Sequence, residues 1–156
     1  MSALPVEIER KYLLRALPAM PAARDVLEID QGYLPGEQIV ERLRRQRDQH
    51  GQMRYFRTIK LGSGVERIEV EEETDARTFE HLWLLTEGRR LRKRRYVVPV
   101  DRAIWEIDEF LDRALVLAEI ELKKSNARVS IPDWISHVLV REVTTEKEYA
   151  NRSLAR

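Results

Sequence analysis

The chain has 156 residues, of which 28 are Lys or Arg and 27 are Asp or Glu, so its formal net charge is +1. This length suits one domain with a full hydrophobic core, and we predict a single domain over residues 1–156. The near-zero net charge argues against a protein whose main task is binding nucleic acid, because such proteins carry a basic excess.

The chain contains no cysteine, which excludes a disulfide framework or a thiolate metal site and fits a reducing compartment. No stretch approaches the roughly 18 apolar residues of a membrane span, and "MSALPVEIER" has no apolar secretory core. We therefore predict a cytoplasmic protein without a membrane partner.

Runs of alternating apolar and polar residues predict eight β-strands. Turn signals such as Pro35-Gly36 and Gly62-Ser63-Gly64 separate them, and the short connections indicate antiparallel hairpins. The approximate strand ranges are 6–13, 28–34, 38–46, 53–61, 66–73, 90–98, 102–110 and 115–122.

Four segments predict helices. "TDARTFEHLWLLTEG" begins with a capping residue, Thr74 or Asp75, and ends at Gly88. A weaker helix is predicted over 18–27, another starts at Pro132, and a last one spans about 146–155. We expect these helices to lie outside the sheet.

Pairs of polar residues, two positions apart, recur along the strands. In "EIERKYLL", Glu7, Glu9 and Lys11 share one face because side chains alternate with a period of two. The other pairs are Arg42 and Arg44, Thr58 and Lys60, Glu69 and Glu71, Lys93 and Arg95, Glu106 and Asp108, and Glu119 and Glu121.

A solvent-exposed sheet face explains any one pair, but the set favours enclosure. Most pairs carry two charges of the same sign about 7 Å apart, which repel each other on an open surface. Eight strands are enough to close a barrel with one whole face inside. We therefore predict an α+β fold, an eight-stranded antiparallel β-barrel (a tunnel) with helices packed on the outside.

The charges in this interior predict its ligand. Grouped Arg and Lys side chains suit phosphate oxygens. Grouped carboxylates repel the same anion unless a hard divalent cation such as Mg²⁺ lies between them. Both sets in one cavity imply a complex of a metal ion with a polyphosphate.

The spacing Glu7-x-Glu9-x-Lys11 resembles the ExExK signature of the CYTH, or triphosphate tunnel metalloenzyme, superfamily. "QGYL" at 31–34 is similar to that family's second strand, and the polar pairs follow in the expected order. "LAEIEL" at 117–122 and "EVTTEKEYANRSLA" at 142–155 extend the resemblance over nearly the whole chain.

The resemblance implies an eight-stranded tunnel that binds triphosphates with Mg²⁺ or Mn²⁺, and a homodimer like many small bacterial-type members. It assigns metal to Glu7, Glu9, Glu119 and Glu121. It assigns a second metal or water site to Glu69, Glu71, Glu106 and Asp108. It assigns the phosphates and catalysis to Lys11, Arg42, Arg44, Lys60, Lys93 and Arg95, with Thr58 beside them and Glu7 and Glu9 as further catalytic residues.

The function we predict is metal-dependent hydrolysis of inorganic tripolyphosphate to pyrophosphate and phosphate. Adenylate cyclase and an organic triphosphatase, acting on thiamine triphosphate or a nucleoside triphosphate, are alternatives that would use the same residues. A non-catalytic polyphosphate binder is a third alternative, against which the many carboxylates argue. The sequence identifies no general base.

Overall fold

The computed structural model describes residues 4–62 and 65–156, so Ser63 and Gly64 of the predicted Gly62-Ser63-Gly64 turn lie outside the described residues. The described residues form nine strands: β1 Val6–Leu14, β2 Asp25–Tyr33, β3 Val40–Arg47, β4 Met53–Leu61, β5 Glu66–Thr74, β6 Arg90–Val100, β7 Ala103–Phe110, β8 Val116–Glu121 and β9 Leu139–Glu142. The eight predicted strands are therefore present, and the short β9 was not predicted.

Eight of the strands close into a barrel. They follow the order β5-β4-β3-β2-β6-β7-β8-β1, and β1 pairs with β5 to complete the circle. That closing pairing is short, with Val6 opposite Ile68, Glu7 opposite Arg67 and Ile8 opposite Glu66. Every strand pairing is antiparallel. The predicted eight-stranded antiparallel barrel is confirmed.

The ninth strand uses the rest of the β1 edge. Tyr12 lies opposite Glu142 and Leu13 opposite Arg141, beyond the point where β5 stops pairing with β1. Strand β1 therefore has β8 on one side and both β5 and β9 on the other. Strand β9 has four residues, too few for an alternating pattern to predict it from the sequence.

The helices are short. They are α1 Ala76–Trp83, α2 Asp133–Ser136 and α3 Asn151–Leu154, with 3₁₀ turns at Leu84–Thr86 and Lys147–Tyr149. Helix α1 begins after Asp75, whose side chain accepts a hydrogen bond from the Thr78 backbone N–H, as the capping prediction required. None of the helices in the described ranges is long and apolar enough to cross a membrane.

Two helix predictions need correction. The helix predicted over 18–27 is wrong, because 18–24 has no helix and β2 already begins at Asp25. Pro21 lies inside that segment, where it removes a backbone donor and clashes with the preceding turn. The helix predicted over 146–155 is interrupted, because Ala150 is extended and separates a 3₁₀ turn from α3.

The outside of the barrel is covered in two places. Over β1, β7 and β8, the buried side chains Tyr12, Trp105 and Ile107 pack with Ile135 of α2. Over β3 and β4, Phe79 of α1 is fully buried and its ring lies 5.2 Å from that of Tyr55. Both helices lie outside the barrel wall, as predicted, and they bury the outward face of the strands.

One end of the barrel is filled by apolar side chains. The inward-facing Tyr33, Leu91 and Phe110 form a buried cluster with Val143 and Ala155 from the C-terminal segment. These contacts place the C-terminal segment against the end of the barrel and leave the charged interior at the other end.

Candidate active site

A cavity of about 500 Å³ occupies the charged part of the barrel, and all eight barrel strands contribute side chains to its wall. Its wall includes eleven of the predicted site residues: Glu7, Glu9, Arg42, Arg44, Lys60, Glu69, Glu71, Arg95, Glu106, Glu119 and Glu121. The alternation along the strands therefore identified the inward face correctly.

The other four predicted residues, Lys11, Thr58, Lys93 and Asp108, are buried and do not line this cavity. Lys93 and Asp108 are both inaccessible to solvent, and Lys93 Nζ lies 2.5 Å from Asp108 Oδ2. Arg95 donates from Nε and Nη2 to the two oxygens of Asp108, each at 2.7 Å. The Asp108 carboxylate is thus occupied by two cations.

Lys11 and Thr58 also support groups in the wall. Lys11 Nζ lies 3.2 Å from Glu119 Oε1 and donates to the Tyr149 carbonyl at 3.1 Å. The Thr58 hydroxyl accepts a hydrogen bond from Arg42 and donates one to Glu71, both at 2.9 Å. These two residues fix the positions of wall residues from behind.

On one side of the cavity, β3, β4, β5 and β1 carry a continuous series of ion pairs. Arg42 contacts Glu71 at 2.9 Å, and Lys60 lies 3.0 Å from Glu69 and 3.2 Å from Glu7. Only the pair of Lys60 with Glu69 joins neighbouring strands. The other two pairs each reach across one strand, from β3 to β5 and from β4 to β1, so the series cross-links the wall where the barrel closes.

Arg67 completes that series and was not predicted. Its Nη2 lies 2.9 Å from Glu7 Oε2 and 2.6 Å from Glu9 Oε1, so one guanidinium holds both carboxylates of the N-terminal motif. A signal was present, because Arg67 precedes Glu69 by two positions and shares its face. The contact joins residues about sixty positions apart in sequence, which alternation alone cannot show.

On the opposite side, carboxylates face one another across β1, β8 and β7. Glu9 lies opposite Glu121, and Glu106 lies opposite Glu119. Burial and the nearby Glu7, Glu106 and Glu9 raise the pKa of Glu121. Like charges directly opposite each other destabilise a sheet unless something lies between them.

The pKa values of Glu106 and Glu119 shift in opposite directions although the two residues are neighbours. Burial raises the pKa of Glu106, and the charges of Glu119 and Asp108 add to the rise. At Glu119, burial acts in the same direction but Lys11 and Arg95 outweigh it, so the pKa of Glu119 lies well below its usual value. Glu119 therefore stays ionised and Glu106 takes up a proton more readily.

The acidic side of the cavity has the donor chemistry for a hard divalent cation, which prefers carboxylate oxygens. Glu119 Oε1 is buried without a hydrogen-bond partner, although Lys11 Nζ is near, and the pKa of Glu121 reflects repulsion that a cation would relieve. Within residues 4–62 and 65–156, no three acidic or histidine side chains already converge as a ligand group. The residues fit a divalent metal in kind, and their side chains have to move to bind one.

The basic side of the cavity is formed by Arg42, Arg44, Lys60 and Arg95, and among the described residues only Arg44 of these has no carboxylate partner. Burial, with Arg42 and Arg95 nearby, lowers the pKa of Arg44 to about 10. Burial and Arg42 likewise lower the pKa of Lys60. A bound anion would stabilise the protonated form of each group, so this side is arranged to receive a polyanion.

Further side chains at the site were not predicted. Gln31 is fully buried and contacts Arg44, while Gln46 and Arg54 line the cavity. Alternation from Arg44 and from Thr58 could have identified Gln46 and Arg54. Asn151 of α3 also reaches the cavity, and no pattern in the sequence indicates it.

The structure places this chain in a class of proteins with a closed antiparallel β-barrel and one interior cavity lined by both basic and acidic side chains. No protein-family model matches the chain. The inorganic triphosphatase of Nitrosomonas europaea is 36% identical over 96% of each chain. That of Acetivibrio thermocellus is 33% identical over 96% of this chain and 93% of its own. The chain belongs to the inorganic triphosphatase family.

Solved structures agree with this assignment. A crystal structure of an inorganic triphosphatase is 34% identical, covers 99% of this chain and 95% of its own, and has a TM-score of 0.65. A putative adenylate cyclase from Bacillus halodurans is 12% identical, covers 87% of this chain and 98% of its own, and has a TM-score of 0.53. At that identity the second structure shares the fold alone.

Proposed function

We propose that this protein is a divalent-metal-dependent triphosphatase that hydrolyses inorganic tripolyphosphate to pyrophosphate and phosphate inside its barrel. The observation that carries the proposal is one cavity inside the closed barrel, in which a basic and an acidic side face each other. Kinship with two inorganic triphosphatases at 33% and 36% identity supports the same substrate. In this proposal the chain is a member of the CYTH superfamily, and the predicted homodimer and cytoplasmic location remain predictions.

The basic side holds the substrate. Arg42, Arg44, Lys60 and Arg95 bind the phosphate oxygens and stabilise the charge that develops as water attacks the terminal phosphorus and pyrophosphate leaves. Phosphoryl transfer depends mainly on positioning and charge, so a protein nucleophile is not required.

The buried polar residues position that side. Asp108 binds Lys93 and Arg95 and so holds the Arg95 guanidinium in one orientation. Lys11 holds Glu119 in the same manner. We propose that Asp108, predicted from the sequence as a metal ligand, acts here as a positioning residue, because both of its oxygens already have partners.

The acidic side is proposed to hold Mg²⁺ or Mn²⁺ through Glu7, Glu9, Glu119 and Glu121, with Glu69, Glu71 and Glu106 completing a second metal or water site. The metal would neutralise substrate charge and lower the pKa of a bound water. In this proposal Glu7 and Glu9 have first to release Arg67, so metal binding is coupled to the ion pairs of the wall.

The test is product analysis with purified protein. We expect tripolyphosphate to yield equal amounts of phosphate and pyrophosphate with Mg²⁺ or Mn²⁺, and nothing in the presence of a chelator. Parallel incubations with ATP, thiamine triphosphate and pyrophosphate define the specificity. Cyclic AMP from ATP would instead favour a cyclase, and no product from any substrate would favour a polyphosphate binder.

A single substitution tests the acidic side. Glu9→Gln keeps the size of the side chain but removes a charge, and we expect turnover of tripolyphosphate to fall by about 100-fold or more because metal binding weakens. The matched control is Glu28→Gln, since Glu28 pairs with Arg47 and Arg94 and lies outside this cavity. Turnover at the parent rate in Glu9→Gln would exclude the metal assignment.

A further inference from the structure

Arg44 differs from every other predicted cation of the site. Lys11, Arg42, Lys60, Lys93 and Arg95 each have a carboxylate oxygen within 4.0 Å. Among the described residues, Arg44 has no such partner, although it lines the cavity. No acid among the described residues forms an ion pair with Arg44, and the more distant Glu71 and Glu106 offset the burial of its charge only in part.

A neutral side chain holds Arg44 instead. Gln31 of β2 lies directly opposite Arg44 of β3, and its Oε1 accepts hydrogen bonds from Arg44 Nε at 3.2 Å and Nη2 at 3.1 Å. Gln31 Nε2 donates to the Tyr33 hydroxyl at 2.8 Å, which fixes the amide with its oxygen towards Arg44. Gln31 is fully buried, so water does not compete for these bonds.

An amide and a carboxylate opposite Arg44 would differ in their effect on its charge. A carboxylate at this position would orient the guanidinium equally well but would also neutralise it. The amide orients it and leaves a full positive charge in a buried setting, next to the further cations Arg42 and Arg95. The remaining guanidinium nitrogen, Nη1, has no hydrogen-bond partner in the described part of the chain and can donate to a ligand.

We propose that Arg44 is the principal anchor for a substrate phosphate, and that Gln31 is a positioning residue which keeps Arg44 oriented but uncompensated. This inference rests on the proposed function. It assigns much of the affinity for the triphosphate to Arg44, and it makes that affinity depend on Gln31, which need not touch the substrate. An ion pair must be broken before any of the other cations can give its full charge to a phosphate, whereas Arg44 needs no such exchange.

The test measures binding of tripolyphosphate by calorimetry in the presence of a chelator, so that neither metal nor turnover contributes. In Gln31→Glu the introduced carboxylate pairs with Arg44, and we expect affinity to fall at least about 10-fold, with thermal stability equal to or above that of the parent. In Gln31→Met the neutral side chain leaves the charge of Arg44 unchanged but removes the hydrogen bonds that orient its guanidinium. We expect that variant to lose thermal stability and only about threefold in affinity.

Gln46→Glu is the matched control. Gln46 faces the same cavity from β3, two positions from Arg44, and makes no contact with its guanidinium. The same charge placed there should weaken binding by only about threefold, through screened repulsion. With metal present, Gln31→Glu should raise KM far more than it lowers kcat.

Equal losses of affinity in Gln31→Glu and Gln31→Met would overturn the inference, because they would show a purely structural role. Parent-like affinity in Gln31→Glu, or an equal loss in Gln46→Glu, would overturn it as well. A parent protein that binds tripolyphosphate without hydrolysing it would refute the proposed function and leave the role of Gln31 standing. A parent that binds none in chelator but hydrolyses tripolyphosphate with Mg²⁺ would overturn the role of Gln31 and Arg44 and leave the proposed function standing.

Discussion

At the scale of single residues, the pKa of each charged group inside the barrel depends on its burial and on the charges next to it. Lys93 is inaccessible to solvent and shares Asp108 with Arg95, so two cations depend on one carboxylate. The pKa of Lys93 is lowered to about 8, mainly by burial, with Arg95 and Arg44 acting in the same direction and Asp108 opposing them. A buried cation with this pKa costs folding free energy when it is charged.

This pKa predicts a pH dependence of stability. The pKa of Lys93 is about 8 in the folded protein against 10.5 for a free lysine, so between these values the unfolded state binds more protons. The free energy of unfolding should therefore rise with pH across this window, by at most about 3 kcal/mol, relative to a Lys93→Met variant. Below about pH 8 the contribution of Lys93 is constant.

Urea unfolding at several pH values measures this difference, and comparing parent with variant cancels the titration of other groups. Lys124→Met, at an exposed position, is the control and should follow the parent curve. Parallel pH profiles for the parent and Lys93→Met would show that Lys93 titrates normally in the folded state.

At the scale of secondary-structure elements, alternation was sufficient to predict the eight barrel strands and the face that each turns inward. Pairs such as Arg42 and Arg44 needed only the period of two. The pattern failed where it was short or absent, as in β9, in the 18–24 segment and around Ala150. The sequence also did not predict which charged residues form ion pairs with each other, because strand order and register are set by long-range pairing.

The closing contact between β1 and β5 shows what such long-range pairing adds. Within the described part of the chain three residue pairs join these strands, and Arg67 reinforces them by binding Glu7 and Glu9 together. The same two carboxylates are the proposed metal ligands. We therefore expect Arg67 to stabilise the closed barrel in the absence of metal and to compete with a metal ion for Glu7 and Glu9.

Replacing Arg67 with Met should expose this competition. In chelator, the free energy of unfolding should fall by about 1–2 kcal/mol because two partly buried carboxylates lose their shared donor. Addition of Mg²⁺ should then raise the unfolding temperature more in Arg67→Met than in the parent, since the metal no longer displaces an internal cation. Thermal unfolding with and without Mg²⁺ measures both effects.

Arg54→Met is the matched control for Arg67→Met. Like Arg67, Arg54 forms an ion pair between two neighbouring strands, but its pair joins β4 to β5 and its partner, Glu73, is exposed. Exposed pairs contribute at most about 1 kcal/mol, and this one lies away from Glu7 and Glu9. If Mg²⁺ shifts the unfolding temperature equally in the parent and in Arg67→Met, Arg67 does not compete with the metal.

At the scale of the whole molecule, the two ends of the barrel have different chemistry. The end near Val143 and Ala155 is apolar and buried, whereas the other part of the interior is charged and holds the cavity. The C-terminal segment also reaches inward polar groups, since the Tyr149 carbonyl and Asn151 contact Lys11 and Lys93. The last residues of the chain are thus part of the core and support the site from behind.

A charge introduced near the C-terminus should therefore destabilise the whole barrel and not only the C-terminal segment. Ala155 is buried among Tyr33, Leu91 and Phe110, so Ala155→Glu places a carboxylate in apolar surroundings. We expect the free energy of unfolding to drop by roughly 3 kcal/mol or more, in a single cooperative transition seen equally by near-UV and far-UV circular dichroism.

The next residue provides the control. Arg156 is exposed, so Arg156→Glu introduces the same side chain one position later and should change stability by no more than about 0.5 kcal/mol. Lys11 and Lys93 donate hydrogen bonds to the same C-terminal segment. Ala155→Glu should therefore also weaken tripolyphosphate binding in the protein that remains folded. If the two variants unfold alike, the C-terminal segment is not part of the cooperative barrel, and the apolar end is held by the strands alone.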